Sequence, residues 1–162
     1  MKTTTIGSYP KPDSMSLPGF IAKHPNPTAR YTEWLKTRSD ADVRAALEGG
    51  QAIVREQVSC GIDIPTDGEA PREHYVYYHL RHIEGYDFEN LAERSARGGA
   101  WSPKVPVLRE AVRPGFAFLV EDWRNAQAAT DNPVKMTVPG PMTIGDSRSE
   151  EHTSELQSPC NL

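Results

Sequence analysis

Two short clusters in this sequence combine a glycine with side chains that can bind a small polar molecule. Gly7 and Ser8 follow the β-branched residues 3–6, and Asp67 and Glu69 follow a second short apolar stretch. A glycine lets a ligand approach the backbone closely, a serine hydroxyl donates and accepts hydrogen bonds, and a carboxylate pairs with a cation. These residue types predict a site for a small molecule that carries polar or charged groups.

Histidine and cysteine, the usual protein ligands of zinc, form no metal-binding pattern here. His74, His79 and His82 are spaced five and three residues apart, which brings at most two of them onto one helix face, so we interpret them as helix-surface or capping residues. Cys60 and Cys160 lie far apart and outside any Cys-x-x-Cys spacing. The sequence therefore predicts neither a disulfide framework nor a metal site, and Cys60 is expected to be a buried free thiol.

Composition is that of an ordinary globular domain. The chain has 162 residues, 37% of them hydrophobic, and a formal net charge of -4. No segment carries a basic cluster, which argues against nucleic acid or an anionic membrane as partner and leaves a small anionic or zwitterionic substrate open. No apolar stretch is long enough to span a bilayer, and the N-terminus lacks the apolar core of a signal peptide, so we expect a cytoplasmic protein.

The elements that must position the two clusters can be predicted from local signals. Residues 3–6 and 62–65 are short apolar stretches that end near a glycine, and each predicts a strand. Between them, Ser39 offers an N-cap three residues before Asp42, and apolar side chains at helical spacing predict a helix over residues 40–60. The prolines of residues 9–27 predict an extended surface loop.

The second half of the chain continues the alternation of strands and helices. The patterns predict helices over residues 72–83 and 114–129 and strands over residues 105–108 and 134–138. Repeated strand–helix units imply a parallel sheet with right-handed crossovers, and hence an α/β domain.

The last fifteen residues do not follow this logic. Residues 148–158, RSEEHTSELQS, match eleven consecutive codons of the common sequencing-library adapter that begins AGATCGGAAGAGCACACGTCTGAACTCCAG. We therefore expect residues 148–162 to be a non-native tail that packs on nothing, and the natural gene to continue past Ser147. A polar native tail is the alternative.

Three segments, TTTIGSYPKP, GIDIPTDGEAPREHYVYY and PVKMTVPGPMTI, occur in an order and spacing that resemble the catalytic barrel of cobalamin-independent methionine synthases. The resemblance covers most of residues 1–147. It implies the N-terminal part of an incomplete (β/α)8 barrel, in which functional residues lie at the C-terminal ends of strands. It also implies a short form without the second, N-terminal barrel of longer members.

Residue roles follow from this resemblance one position at a time. Ile6, Gly7 and Ser8 match the segment that holds the amino acid substrate, and Glu69 matches the acid that pairs with the homocysteine ammonium. The alternative for Glu69 is a solvated loop acid or a charge at a helix N-terminus. Asp67 is also expected at the substrate site, although related synthases commonly carry a histidine there, which leaves the substrate of this branch open.

The activity implied by the resemblance is zinc-dependent transfer of a methyl group to the homocysteine thiol, which gives methionine. Methyltetrahydrofolate is the expected donor, with a corrinoid-bound methyl group as an alternative. The zinc ligands are expected outside this chain, so the fragment alone should be inactive. Two other hypotheses remain, namely a uroporphyrinogen decarboxylase-like enzyme of the same fold and a non-catalytic amino-acid-binding barrel.

Overall fold

The computed structural model describes residues 1–17, 26–95 and 102–147, together with the backbone of residues 149–150. This part of the chain contains both helices and strands, but they do not alternate one by one as the sequence patterns predicted. The helices and strands are α1 (Pro27–Thr37), α2 (Asp40–Ser59), α3 (Tyr77–Leu80), β1 (Ile83–Glu93), β2 (Lys104–Pro114), α4 (Phe118–Gln127), α5 (Pro141–Asp146) and β3 (Ser149–Glu150).

The long helix α2 confirms the sequence prediction almost to the residue. Ser39 is the N-cap, its side chain accepts a hydrogen bond from the Asp42 amide, and the Asp42 side chain accepts one from the Ser39 amide in return. Packing explains the glycine at position 49 in the middle of α2, because a Cβ there would lie 2.4 Å from the sulfur of Met15. The glycine thus lowers helix propensity but lets the preceding loop pack closely on the helix.

The proline-rich stretch before α2 is not simply an extended surface loop, as the sequence had suggested. Met15 and Leu17 are buried, and helix α1 begins at Pro27 with Asn26 as its N-cap. A proline at the first helical position costs nothing, because its missing N–H would have no helical partner there. The proline density therefore marked a helix start as well as a loop, and residues 18–25 lie outside the described part.

The three predicted strands that carry the sequence motifs lie side by side but pair only briefly. Thr4 and Ile64 form an isolated parallel bridge, and the Ile64 amide donates to the Thr3 carbonyl at 3.0 Å. On the other side, the Lys135 amide donates to the Pro65 carbonyl, also at 3.0 Å. Segments 3–5 and 62–66 thus lie side by side in parallel, and segment 134–137 is hydrogen-bonded to the second of them. The predicted strands at these three places do not form extended strands in the structure.

The main sheet differs from the prediction. Strands β1 and β2 form an antiparallel hairpin, so the predicted strand at residues 105–108 extends to Pro114 and pairs with a strand that the sequence did not indicate. Within β1 the Asp87 side chain accepts hydrogen bonds from the Glu89 and Asn90 amides. This Asx-type turn interrupts the register and hides the alternation that would have predicted β1.

The helices around this hairpin are shorter than predicted. The predicted helix over residues 72–83 is reduced to α3 with turns on either side, and α4 begins at Phe118 because Pro114 still belongs to β2. Gly115 passes so close to the backbone that a Cβ would lie 2.2 Å from the His82 carbonyl oxygen. Helix α5, which begins at Pro141, was also not predicted.

The main apolar cluster lies between α1, α2 and the 70–78 segment. Its buried members are Met15, Leu17, Tyr31, Ala46, Ile53, Ala70 and Tyr78. A second cluster packs α3 against β2, and a third packs α2 against α4. In the described ranges no helix is long and apolar enough to cross a membrane.

Two expectations from the sequence are wrong. Cys60 is a free thiol, as predicted, but it is exposed rather than buried, because it caps the C-terminus of α2 beyond the face that packs on the core. The tail is not wholly unpaired either, since β3 pairs in parallel with Val107 and Leu108 of β2. The outer edge of a hairpin exposes backbone groups that accept such an addition. The non-native origin of residues 148–162 stays a prediction.

Candidate functional site

The two clusters singled out in the sequence meet at one end of the parallel segments. The Tyr9 amide donates to the Gly68 carbonyl at 2.9 Å, which fixes the first turn against the second. Gly7, Gly68 and Glu69 all have positive φ, at 89°, 63° and 57°. A left-handed conformation is unusual for a glutamate, and such strain often accompanies a functional position. Both turns are therefore bent so that their side chains face each other.

Glu69 is held by hydroxyl groups from two distant segments. The Ser8 hydroxyl donates to one carboxylate oxygen at 2.5 Å, and the Thr137 hydroxyl donates to the other at 2.9 Å. Both oxygens thus accept a hydrogen bond while retaining lone pairs for a further donor. The carboxylate is oriented by the protein and remains able to bind a cation.

Arg72 lies beneath this carboxylate and is almost completely buried, with 3% of its surface exposed. One terminal nitrogen, Nη1, donates to the Thr137 carbonyl at 2.9 Å and lies 3.9 Å from a Glu69 oxygen. The guanidinium charge offsets the cost of burying nearby carboxylates. No helix begins at residue 69, so the alternative role of Glu69 as a helix N-terminal charge is not what the structure shows.

Asp67 is buried beside the same arginine rather than exposed to a ligand. Its Oδ2 lies 3.9 Å from Arg72 Nη2, which is too long for a hydrogen bond, and its Oδ1 accepts from the Glu69 amide at 3.0 Å. Burial raises the pKa of Asp67, and the Arg72 charge opposes that rise. Asp67 therefore shapes the turn that carries Glu69, and its position favours a supporting role.

Further from Glu69, a polar group on α4 faces the same arginine. Tyr78 OH donates to Asp122 at 3.2 Å, and the Arg72 guanidinium lies 5.9 Å from the centre of the Tyr78 ring. Burial raises the pKa of Asp122 to about 6, and the charge of Asp67 adds to the rise. This arrangement links the site to α4.

The predicted substrate residues are only partly brought together. Ser8 and Glu69 are hydrogen-bonded to each other, and Gly7, just before Ser8, has a left-handed backbone conformation. Ile6, in contrast, is 86% exposed. Any contact of Ile6 with a ligand would therefore use its backbone. Whether these residues bind substrate stays a prediction, but their spatial convergence is observed.

Thr137 was missed from the sequence although it lies in a quoted motif. The signal was present, because a threonine stands near the end of the predicted strand at residues 134–138, where a barrel places functional groups. Lys11, whose ammonium binds the Ala70 carbonyl next to Glu69, was missed as well. A lysine among prolines in a loop carries no local signal of such a contact. Trp101 lies near the segment where the resembling family contacts its folate donor, but the sequence favours a packing role for it, and it lies outside the described residues.

The three histidines do not gather into a metal site. His74 Nδ1 accepts hydrogen bonds from the Val76 and Tyr77 amides, so it caps the turn before α3, and burial lowers its pKa to about 4. His82 stacks on Phe118 with ring centres 3.9 Å apart. Within the ranges described here, no group of three or more His, Cys, Asp or Glu residues could hold a metal ion.

Comparisons with known proteins agree with the motifs. The family described as "Cobalamin-independent synthase, Catalytic domain" matches residues 1–157. A 5-methyltetrahydropteroyltriglutamate–homocysteine methyltransferase from Parvibaculum lavamentivorans is 31% identical over 144 residues, which are 89% of this chain and 17% of that protein. A methionine synthase from Saccharolobus islandicus is 29% identical over 94% of this chain and 42% of that protein. The chain thus spans less than half the length of these relatives.

A solved structure resembles the fold. The B12-independent methionine synthase from Shewanella sp. W3-18-1, in complex with selenomethionine, superposes with a TM-score of 0.75 at 27% identity. The match covers 96% of this chain and 42% of that one. The predicted fold class, an α/β chain that forms part of a (β/α)8 barrel, is confirmed.

Proposed function

The chain belongs to the family of cobalamin-independent synthase catalytic domains, and we propose that it supplies the amino-acid-binding part of a methyltransferase. The parent enzyme would transfer a methyl group to the thiol of homocysteine and release methionine. The observation that carries this proposal is the contact of Ser8 with Glu69, which joins two motifs 61 residues apart. The relatives named as methyltransferase and methionine synthase support the same assignment.

In this proposal Glu69 pairs with the substrate ammonium. Its two oxygens are already oriented by Ser8 and Thr137, so little rotamer freedom would be lost when a cation binds. Backbone groups of Ile6 and Gly7 would lie beside the rest of the amino acid. A zwitterionic ligand also fits a protein without a basic cluster.

The residues of the amino acid site do not account for the binding of the methyl donor or of a metal ion. A folate-type donor is consistent with the name of the Parvibaculum relative, and we propose methyltetrahydrofolate or its polyglutamate form. Zinc in such an enzyme would bind the thiol sulfur and lower its pKa. The described residues do not fit a zinc site.

Calorimetric titration of the 162-residue chain with L-homocysteine and L-selenomethionine tests the amino acid site. We expect both to bind, and N-acetyl-L-homocysteine, which lacks the ammonium, to bind at least tenfold more weakly. Glu69→Gln keeps the size of the side chain but removes its charge, and should also weaken binding about tenfold or more, since charge-assisted hydrogen bonds are the strong ones.

The matched control is Glu89→Gln, which removes an exposed carboxylate in β1 that pairs with Lys36 of α1. It should leave the affinity unchanged. Equal affinity of the wild-type and Glu69→Gln chains would rule out the proposed role of Glu69. The family assignment favours the synthase over the decarboxylase-like hypothesis, and activity measured on a full-length protein would separate an enzyme from a binding barrel. A cytoplasmic location stays a prediction.

A further inference from the structure

A lysine from the first motif reaches beneath the turn that carries Glu69. Lys11 Nζ donates to the Ala70 carbonyl at 2.5 Å and to the Arg72 carbonyl at 2.7 Å. The lysine is partly buried, and none of the roles proposed above involves it. Its two acceptors are backbone groups one and three residues after Glu69, so the ammonium bridges the chain at the exit of the left-handed turn.

The turn needs such a support because its conformation is unfavourable on its own. Gly68 and Glu69 have φ of 63° and 57° in succession, and a left-handed residue with a side chain costs about 1 kcal/mol or more. Such a conformation persists only where the surroundings determine it. Lys11 and the Tyr9 amide are the groups from the first motif that bind the backbone of this turn.

We propose that Lys11 is a positioning residue, whose ammonium holds the carbonyl groups of Ala70 and Arg72 and thereby keeps the Glu69 carboxylate aimed at Ser8. The bond to Arg72 also anchors the backbone of the arginine whose side chain reaches Thr137. One cation thus stabilises both the acid and the group beneath it.

The charges around Lys11 are consistent with this role. Glu73, Asp67 and Glu69 favour its protonated form, Arg72 opposes it, and burial is the largest effect, lowering the pKa of Lys11 to about 8. The ammonium is therefore charged at neutral pH but loses its proton at mildly alkaline pH. A neutral amine donates weaker hydrogen bonds, so the turn should loosen as the pH rises through 8.

The test follows the backbone amide resonances of Gly68 and Glu69 by NMR in the ligand-free 162-residue chain between pH 6 and 10. We expect an inflection near pH 8 in the wild type that is absent in Lys11→Met. Lys36→Met, which removes an exposed lysine on α1, is the control and should keep the inflection. A wild-type chain whose amides show no inflection overturns the proposal, even if Lys11→Met does not fold.

A second measurement, the affinity for L-selenomethionine, rests on the proposed function. The ammonium of the ligand itself loses its proton at alkaline pH, so the affinity should fall from pH 7 to pH 9.5 in both the wild type and Lys11→Arg. The fall should be at least fivefold larger in the wild type, because the arginine stays charged. The same pH dependence in both would overturn the proposal. If neither chain binds the amino acid, the proposed function fails, and the ligand-free resonances still decide the role of Lys11.

Discussion

The turn around Glu69 and the β1–β2 hairpin are stabilised in different ways. The turn is bound by side chains from two distant segments, of which the first carries Ser8 and Lys11 and the second carries Thr137. The hairpin is bound by backbone pairing between two strands that are close in sequence, and its side chains on β2 after residue 108 are exposed. Specific side chains therefore matter in the first region, whereas the second tolerates many residues.

The difference also concerns electrostatics. The site buries Asp67, Glu69 and Arg72 together, whereas the ion pair of the hairpin, Asp87 with Arg109, is partly exposed to solvent. Removing one member of a buried ion pair leaves the other charge without a partner in the protein interior. Removing one member of an exposed pair costs little, because water solvates the charge that remains. The predictions below use this contrast, beginning with the largest effect.

Arg72→Met should destabilise the chain by roughly 3–5 kcal/mol, because it leaves two buried carboxylates without their cation. The matched change in the hairpin, Arg109→Met, removes a partly exposed pair and should cost roughly 0–1 kcal/mol. Urea unfolding of both variants measures the difference. Similar losses in the two variants would show that the site is no more dependent on its charges than the hairpin is.

Gly68→Ala should cost roughly 2–4 kcal/mol, since it combines a left-handed φ with a steric clash. An added Cβ would lie 2.8 Å from both Ile53 Cγ2 and Tyr9 Cβ. Gly61→Ala is the control, because Gly61 has a φ of 84° but open space around it, and should cost only about 1 kcal/mol. Urea unfolding of the pair separates the clash from the backbone strain, and equal costs would contradict the packing at Gly68.

Acid should loosen the 74–80 segment, which follows the site in sequence, before the hairpin. The folded-state pKa of His74 is lowered to about 4 by burial, so the unfolded chain binds the proton first and stability is lost as the pH falls from about 6.5 to 4. The pKa of Asp87 is lowered mainly by hydrogen bonds from Asn90, so the hairpin loses that contribution only below about pH 4. Hydrogen exchange of amides in each region, measured against pH, distinguishes the two.

His74→Asn provides the control for this pH effect. It keeps an acceptor for the Val76 and Tyr77 amides but does not titrate. The loss of protection in the 74–80 segment between pH 6.5 and 4 should become smaller, by roughly 1–2 kcal/mol after allowance for partial exposure. An unchanged loss would assign the effect to another group, and His79, whose pKa burial also lowers to about 4, is the next candidate.

Local sequence signals were sufficient where a structure is made of neighbouring residues. The capping box of Ser39 and Asp42 predicted the start of α2, since its donors and acceptors lie three residues apart. The contact between Ser8 and Glu69 was also predictable, because parallel strands bring their C-terminal ends to one edge. Local signals did not predict that Asp67 would be buried beside Arg72, or that residues 149–150 of the tail would pair with β2.

The sequence by itself thus determined α2, the α/β class and the convergence of the two glycine-containing turns, all of which follow from local periodicity and strand direction. Only the tertiary structure decided that Thr137 binds Glu69, that Lys11 supports the turn from below, and that β1 pairs with β2 in antiparallel fashion. The physical reason is that these contacts depend on the path of chain segments far apart in sequence, and a single lysine or threonine carries no mark of the partner that it will meet.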